Sequence, residues 1–561
     1  MSSHLETIPL DVLVHIASFT VEPAPLTRLG PLLQLLLSSR TLYHLLSIRT
    51  CPQLYAHIFR VSFDLQGYHR RTGQHAMTSS CLATELQRRR QVLRRIRLRQ
   101  MIEQHILADL WVIYLMLLES DALDELHLYD AGVSKWVTNV LERYCQATNV
   151  FDDQFTSLAI TVASLVWSHS DISGFRIEDR NWILSSIRPF TTRTPLYLHT
   201  NVSGVVGQQS SQSTDVPSTQ ASVSPNFSQG TCKCISYNGM TISAPNLSLS
   251  SIFLTFALKE VTPLQVPPHL PETRAEAIAV GNNGPTKEDF RAITRTRTQL
   301  VADSFQHNQR CGSDLDLSRE RQRPSRSTIH DEDFYRITHH LDLHPHSEQL
   351  QAYLPGLLTG DWEGSYMVAP PTLCSPAAHP FGIDRDQEFL CRRPIQFRLE
   401  EYLSFTPWLP LPIEAHEGFD GYVPRNFRVR GGELEACLTT TVDISHGDTE
   451  KAHYYEPFHL SGVSESGRNT QHALDVVITG ETPHRFQAAW GAFTFSGRVR
   501  LSDGLISLTR EPQNGEDDGD GTWVFQGYLR SRRTFIGRWS TLSPADQPGV
   551  GGIFSVSKST E

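Results

Sequence analysis

The sequence predicts an α+β protein with a helical amino-terminal half and a carboxy-terminal antiparallel β-barrel, joined by disordered linkers. Three observations predict it. Apolar residues recur at helical spacing in successive segments between Val12 and Ile187. Gly, Gln, Ser, Thr and Pro dominate from about Gly204 to Gln229, and the chain stays polar and proline-studded from Thr262 to Arg326. Such sequence cannot bury enough apolar surface to fold by itself. From Gly360 the period switches to alternation, with turn signals between short runs.

A chain of 561 residues accommodates two or three domains. With 39% hydrophobic and 20% charged residues it fits a soluble globular protein carrying some disordered sequence. A net charge of −10 argues against a dedicated nucleic-acid binder. Nine cysteines at scattered spacings describe no disulfide framework, so a reducing compartment is expected. No basic region precedes an uninterrupted apolar core at the start, so no signal peptide is expected. The longest apolar runs, Ile106–Leu118 and Leu158–Trp167, fall short of the roughly 20 residues that span a bilayer. The expected location is cytoplasmic or nuclear.

In order, Thr7 can cap a first helix with Pro9 in its first turn and Val12, Leu13, Ile16 and Phe19 on its apolar side. Two more apolar helical segments follow before residue 60. A segment of about 60 residues buries only roughly 60% of its surface. These faces therefore need a partner, either the rest of the chain or another protein. Val61–Leu65 reads as a short strand or extended link. Glu85–Arg99 is an arginine-dense helix with Leu86, Leu93 and Ile96 on its apolar side. No aromatic residues interleave with its arginines, which favours a solvated face whose stems cover apolar surface over an import or nucleic-acid patch.

Ile106–Glu119 is apolar nearly all round and should be a central buried helix. Helices over Ser134–Gln146, from Asp152/Asp153 to Val166 and over Asp179–Ile187 complete a helical domain, with Trp136, Trp167 and Trp182 in its core. Cys232 and Cys234 form a lone Cys-x-Cys, and no metal is expected there. Ile252–Leu258 reads as a helix returning to that domain. Asp331–Leu354 reads as helical; its His339, His340, His344 and His346 are expected on the surface, because Pro345 interrupts them and no further ligands accompany them. The expected division is 1–60, 61–200, a low-complexity linker 201–230, a helical return 231–261, a disordered linker 262–330, a helix 331–354 and a barrel 355–561.

Strand-like runs then cover Gly360–Val368, Phe397–Leu403, Arg425–Val429, Cys437–Asp443, Tyr454–Val463, Ala473–Thr479, Ala488–Arg500, Gly504–Thr509, Thr522–Leu529, Thr534–Trp539 and Gly552–Val556. Their number and spacing suggest an antiparallel barrel or related sandwich. Closure would remove the strand edges. No Gly-x-Ser-x-Gly elbow, phosphate loop, dinucleotide fingerprint or His-Glu-x-x-His occurs, and Glu481 and Glu511 are isolated carboxylates. Asp517, Asp518 and Asp520 read as a solvated hairpin tip rather than a calcium loop. A non-enzyme without cofactor is expected.

The opening stretch resembles the F-box, the helical module that docks onto the Skp-type adaptor of cullin-RING ubiquitin ligases. The matching residues are Ile8-Pro9 with Leu13 and Ile16, then Ser39-Arg40-x-Leu42-Tyr43-x-Leu45, then Pro52-x-Leu54-Tyr55-x-x-x-Phe59. Tyr55 stands where the closing aromatic is more usually Trp, and Pro23, Pro25 and Pro31 interrupt the middle. Gly360-x-Trp362 resembles the first strand of lipocalin-type barrels, where a Trp plugs one end and an Arg from the last strands packs on it; Arg538 in Gly537-Arg538-Trp539 matches that Arg. Gly364, the Ile478–Glu481 turn, Ala489-Trp490-Gly491, Gly497-Arg498 and Gly527-Tyr528 complete a layout similar to a group of fungal F-box proteins. A looser likeness is to the barrel that human F-box-only proteins of the cyclin-degrading kind use for substrate capture. The resemblance covers roughly residues 5–60 and 355–557.

It implies a substrate receptor whose Ile8, Pro9, Leu13, Ile16, Leu42, Leu45 and Leu54 face a Skp-type adaptor and cullin complex, while the barrel recruits a protein target. Trp362, Arg538, Trp490 and Trp539 are the implied plug or pocket residues. No metal, nucleic acid or membrane partner is implied. The alternative is a small-ligand-binding barrel whose amino-terminal helices are only structural; it expects an apolar cavity inside the barrel.

Overall fold

The computed structural model describes residues 8–20, 30–72, 77–145, 153–192, 234–237, 240–262, 266–282, 284–295, 297–303, 325–338, 352–369, 390–405, 427–430, 433–437, 452–458, 473–501, 503–513, 521–541 and 550–559. The low-complexity stretch, Cys232, the four histidines after Thr338 and the acidic tip 517–520 lie outside them.

Helices α1 (Leu10–Phe19), α2 (Gly30–Ser38), α3 (Arg40–Leu46) and α4 (Pro52–Ser62) open the chain. They are followed by α5 (Gln66–Thr72), α6 (Ser79–Arg97), α7 (Glu103–Glu119), α8 (Leu123–Ala131), α9 (Val133–Cys145), α10 (Asp153–Val166), α11 (His169–Gly174) and α12 (Ile177–Thr192). A hairpin of β1 (Ile235–Tyr237) and β2 (Met240–Ile242) leads to α13 (Leu247–Lys259). As its pattern demands, α7 is the centre, buried continuously from Asp109 to Glu119. Trp136 and Trp167 are interior, and Trp182 packs against the same core partly exposed. Around α7, α10 packs against α9 and α13, and α4 packs on α6. The expected boundary at 60/61 therefore falls inside α4, whose Phe59 belongs to this core. Val61–Leu65 is no strand: α4 runs through Ser62, and Asp64 accepts N–H bonds from Asp121, Ala122 and Asp124 at the entry to α8.

The arginine-dense helix differs most from expectation. Arg89 of α6 is 2% exposed, its Nη1 donating to both Asp124 oxygens at 2.9 and 3.1 Å and its Nη2 to Glu119 at 2.7 Å. Its Nε reaches Glu85, and the guanidinium lies over Phe59 and Phe63. Tyr237 donates to the other Glu119 oxygen at 2.6 Å. Arg95 pairs bidentately with the buried Asp109. Arg89 is thus an interior ion-pair partner and the part-buried Arg95 a second one, each fork matched to carboxylates.

His127 of α8 stacks on Phe63 at 4.7 Å and places Nε2 2.9 Å from the Ser62 carbonyl. Burial lowers its pKa, and burial likewise lowers that of His330. A histidine whose folded pKa is depressed contributes stability that is complete above its unfolded value of about 6.5 and is lost as pH falls. Glu125 acts oppositely: burial raises it to about 7 against Arg326, so its contribution is lost as pH rises through that value. The melting temperature of a His127→Phe variant is expected to fall less than the parent's between pH 7.5 and 5.5. Equal slopes in thermal melts would remove His127 from the account.

Residues expected as a disordered linker contain ordered structure. They include α14 (Arg274–Ala279), α15 (Lys287–Arg295) and a 3₁₀ turn (Arg326–His330) leading into α16 (Asp331–Ile337). Thr273 caps α14 by accepting from the Glu276 N–H, and Arg274 pairs with Asp289 of α15. Glu260 accepts from both the backbone and the hydroxyl of Thr298, and Leu300 and Val301 enter the helical core.

The carboxy-terminal third comprises β3 (Gly360–Val368), β4 (Leu390–Ser404), β5 (Phe427–Arg430), β6 (Glu433–Cys437), β7 (Ala452–Pro457), β8 (Asp475–Glu481), α17 (His484–Trp490), β9 (Phe493–Arg500), β10 (Leu505–Pro512), β11 (Trp523–Arg530), β12 (Thr534–Thr541) and β13 (Gly551–Lys558). Eight antiparallel strands close in the order β3-β13-β12-β11-β10-β9-β8-β4, with β4 returning to β3. The end of β4 also pairs with β7, which carries β6 and β5 outward. The expected strand Ala488–Arg500 is instead a helix followed by a strand, because Pro483 starts α17 and Gly491, at φ 93°, ends it.

Barrel and helices share an apolar contact. Met367, Leu505, Tyr528, Ile536 and Ile553 point outward from the barrel and join the helical core. Arg336 of α16 donates to the Leu529 carbonyl at 2.6 Å, Thr298 bonds Ser555, and Arg530 bonds Ser164 of α10.

Candidate functional site

Two places carry the residues that the sequence singles out. The first is the α1–α4 module. Pro9 stands at the N-cap of α1 and is exposed, while Ile8, Ile16 and Leu45 are half-buried. Leu13, Leu42 and Leu54 are at most 1% exposed and belong to the core that runs on into α6 and α7. Those three hold the module together and present no surface to a partner. Ser39 caps α3 by accepting from the Thr41 N–H, and Tyr55 of α4 donates to the Leu46 carbonyl at 2.9 Å. Burial raises the pKa of the Cys51 thiol, which keeps it protonated.

The outer side of the module is apolar in a different set. Leu10, Val12, Phe19, Leu33, Leu37 and Tyr43 are exposed, Phe19 at 74% and Leu37 at 73%. Val12 and Phe19, seven apart, share one face of α1; Leu33 and Leu37, four apart, share one face of α2. His15 stands edge-on to Phe19 at 4.8 Å on that α1 face. The first 105 residues hold thirteen arginines and no lysine against six acidic residues, in a chain of net charge −10. Six of those arginines lie on α6, whereas among the described residues of α1–α3 Arg40 stands against Asp11.

The second place is the barrel interior. Trp362 is fully buried and donates Nε1 to the Leu358 carbonyl at 2.7 Å, at the end covered by residues 353–359. Glu401 fastens that segment: its carboxylate, 1% exposed, accepts from the N–H groups of Gly356, Leu358 and Thr359 at 2.6–2.9 Å. Toward the other end, Trp539 stacks on Trp523 at 4.3 Å, and Tyr366 stands edge-on to both at 5.3 Å. Phe397 meets Phe495, and Phe554 meets Phe525 and Phe535, at centroid distances of 4.7–5.3 Å. Side chains thus fill the barrel.

The Arg–Trp pairing implied by the resemblance is not the one present. Alternation on β12 sends Phe535 and Trp539 inward and Arg538 outward, where it donates to the Thr191 carbonyl and the Ser248 hydroxyl. Among the described residues, a cation that does lie on a barrel tryptophan is Arg510, 3.9 Å from the Trp523 ring and 3.6 Å from Phe493. Trp490 ends α17 and packs edge-on to Phe290 of α15. Of the four implied residues, Trp362 and Trp539 are inside, 177 residues apart in sequence, and Arg538 and Trp490 are outside. Glu401 carries no local sequence signature; Arg510 shares the inward register of Leu508.

Among the described residues no cluster of His, Cys, Asp or Glu has a metal-holding arrangement, and no helix is long and apolar enough to cross a membrane. No protein-family model, curated protein or solved structure matches the chain.

Proposed function

We propose that the chain is the substrate-recognition subunit of an SCF-type ubiquitin ligase, docking a Skp-type adaptor through α1–α3 and recruiting a protein target through its lipocalin-like barrel. The observation that carries this is the concentration of exposed Leu10, Val12, Phe19, Leu33, Leu37 and Tyr43 on those three helices. Water-facing residues of that size on one small module are anchors for a partner. The protein performs no bond chemistry; it contributes proximity between target and conjugating enzyme. The small-ligand alternative is disfavoured by an interior occupied by packed aromatic rings.

Calorimetric titration of the full chain with purified adaptor tests this. Binding is expected, and Phe19→Asp combined with Leu37→Asp should weaken it at least roughly 100-fold, as two lost hot spots would. Leu98→Asp, an exposed apolar position beyond the module, should leave it unchanged. Absence of binding, or equal affinity in the double variant, overturns the proposal.

A further inference from the structure

At the junction of helices and barrel, three guanidiniums are anchored with one nitrogen left over. Arg71 of α5 donates Nε to Asp331 and Nη2 to the carbonyls of Leu118 and Ser327, at 2.7–2.9 Å. Arg336 of α16 gives Nη1 to Asp333 and Nη2 to Leu529. Arg530 of β11 gives Nη2 to Ser164 and lies over the Phe253 ring at 4.3 Å. The remaining Arg71 Nη1, Arg336 Nε and Arg530 Nη1 are buried without a hydrogen-bond partner, as are Nδ1 of His330 and Oγ of Ser531. Arg71 and His330 are 4% and 2% exposed and Arg530 is 7% exposed. Asp333 ties these groups together: besides Arg336 it meets the Ser531 N–H at 3.3 Å and His330 Nδ1 at 3.8 Å.

Guanidiniums outnumber carboxylates by one: Arg71, Arg336 and Arg530 with the part-exposed Arg70 and Arg532 face Asp331, Glu332, Asp333 and Asp121, the last accepting from the Ser325 and Ser327 that Arg70 holds. Burial pushes Arg530 down to about 10. Burial opposes ionisation of Asp333, yet His330, Arg336 and Arg530 draw it down to about 2. Buried N–H donors are unfavourable until an acceptor joins them, and a cluster with a cationic excess favours an anionic one. A water would satisfy donors without balancing charge.

We infer that this junction binds a small oxyanion of the phosphate class, held by the spare N–H groups of Arg71, Arg336 and Arg530 beside His330 and Ser531. Tetrahedral oxygens match several guanidinium donors arriving from different elements. The partly exposed Arg70 and Arg532 line the approach from solvent, with side chains 30% and 24% exposed. Such a ligand would fasten α5, α16 and β11 to one another, independently of adaptor docking.

The test is thermal unfolding and calorimetric titration of the full chain with inorganic phosphate and with pyrophosphate, against NaCl of matched ionic strength. A saturable rise in melting temperature of roughly 3 °C near a hundredfold excess over Kd is expected. Arg530→Lys and Arg336→Gln should each weaken binding at least tenfold. Tighter binding of inorganic phosphate identifies the free ion as the ligand; tighter binding of pyrophosphate identifies the terminal group of a polyphosphate. No saturable effect beyond chloride in the parent protein, or unchanged affinity in both variants, overturns the inference. The parent titration stands even where a variant fails to fold.

Discussion

Arg89→Ala is expected to destabilise the helical half by about 3–5 kcal/mol, the cost of leaving a buried charge uncompensated. Without the guanidinium, Glu119 and Asp124 remain interior, and Asp124 already has its pKa pushed well up by burial against the pull of Arg89. The two rings beneath Arg89, Phe59 and Phe63, lose their cationic cover as well. Arg89→Lys should recover only part of the loss, because one ammonium cannot span two carboxylates from different elements. Arg94→Ala, on the exposed side of the same helix, should stay within about 0.5 kcal/mol. Urea denaturation followed by circular dichroism reads all three. A loss below about 1 kcal/mol for Arg89→Ala would contradict the role given to its buried pairs with Glu119 and Asp124.

Gly537→Val should cost about 3 kcal/mol or more and disrupt barrel closure. Gly537 and Gly527 face each other in the β11–β12 register, where a Cβ on Gly537 would sit 1.8 Å from the Gln526 carbonyl oxygen and one on Gly527 1.9 Å from that of Ile536. The neighbouring backbone occupies the place of a side chain, so neither rotamer nor side-chain movement relieves the clash. The Trp523–Trp539 stack on the same two strands provides the readout: its near-ultraviolet dichroism should disappear in the variant. Gly521→Asn, at a left-handed position with open space around it, should keep that signal.

Much of the architecture was legible because it repeats locally. The unbroken apolar run of α7 announced a central helix, and strict alternation announced the strands of the barrel. Gly497, Gly527 and Gly537 could be read as part of a pattern, but why Gly527 and Gly537 are glycine is visible only once the strands pair. Arg89 was misassigned because its carboxylates lie 30 and 35 residues away, beyond any helical spacing. Arg538 was recoverable: period two places it opposite to Phe535 and Trp539. The short helices α14 and α15 were hidden in polar composition, although Thr273 with Glu276 and Thr286 with Asp289 are local capping pairs. At the proposed docking face, hydrophobicity named the module while burial decides which of its residues reach the surface. Leu13, Leu42 and Leu54 turn inward, and Phe19, Leu33 and Leu37 turn out.

The most direct measurement is amide hydrogen exchange of the full chain with and without a Skp-type adaptor. The account predicts that complex formation slows exchange across α1, α2 and α3 and leaves the barrel strands unchanged. Unaltered exchange in residues 10–46, or protection confined to the barrel, would contradict it.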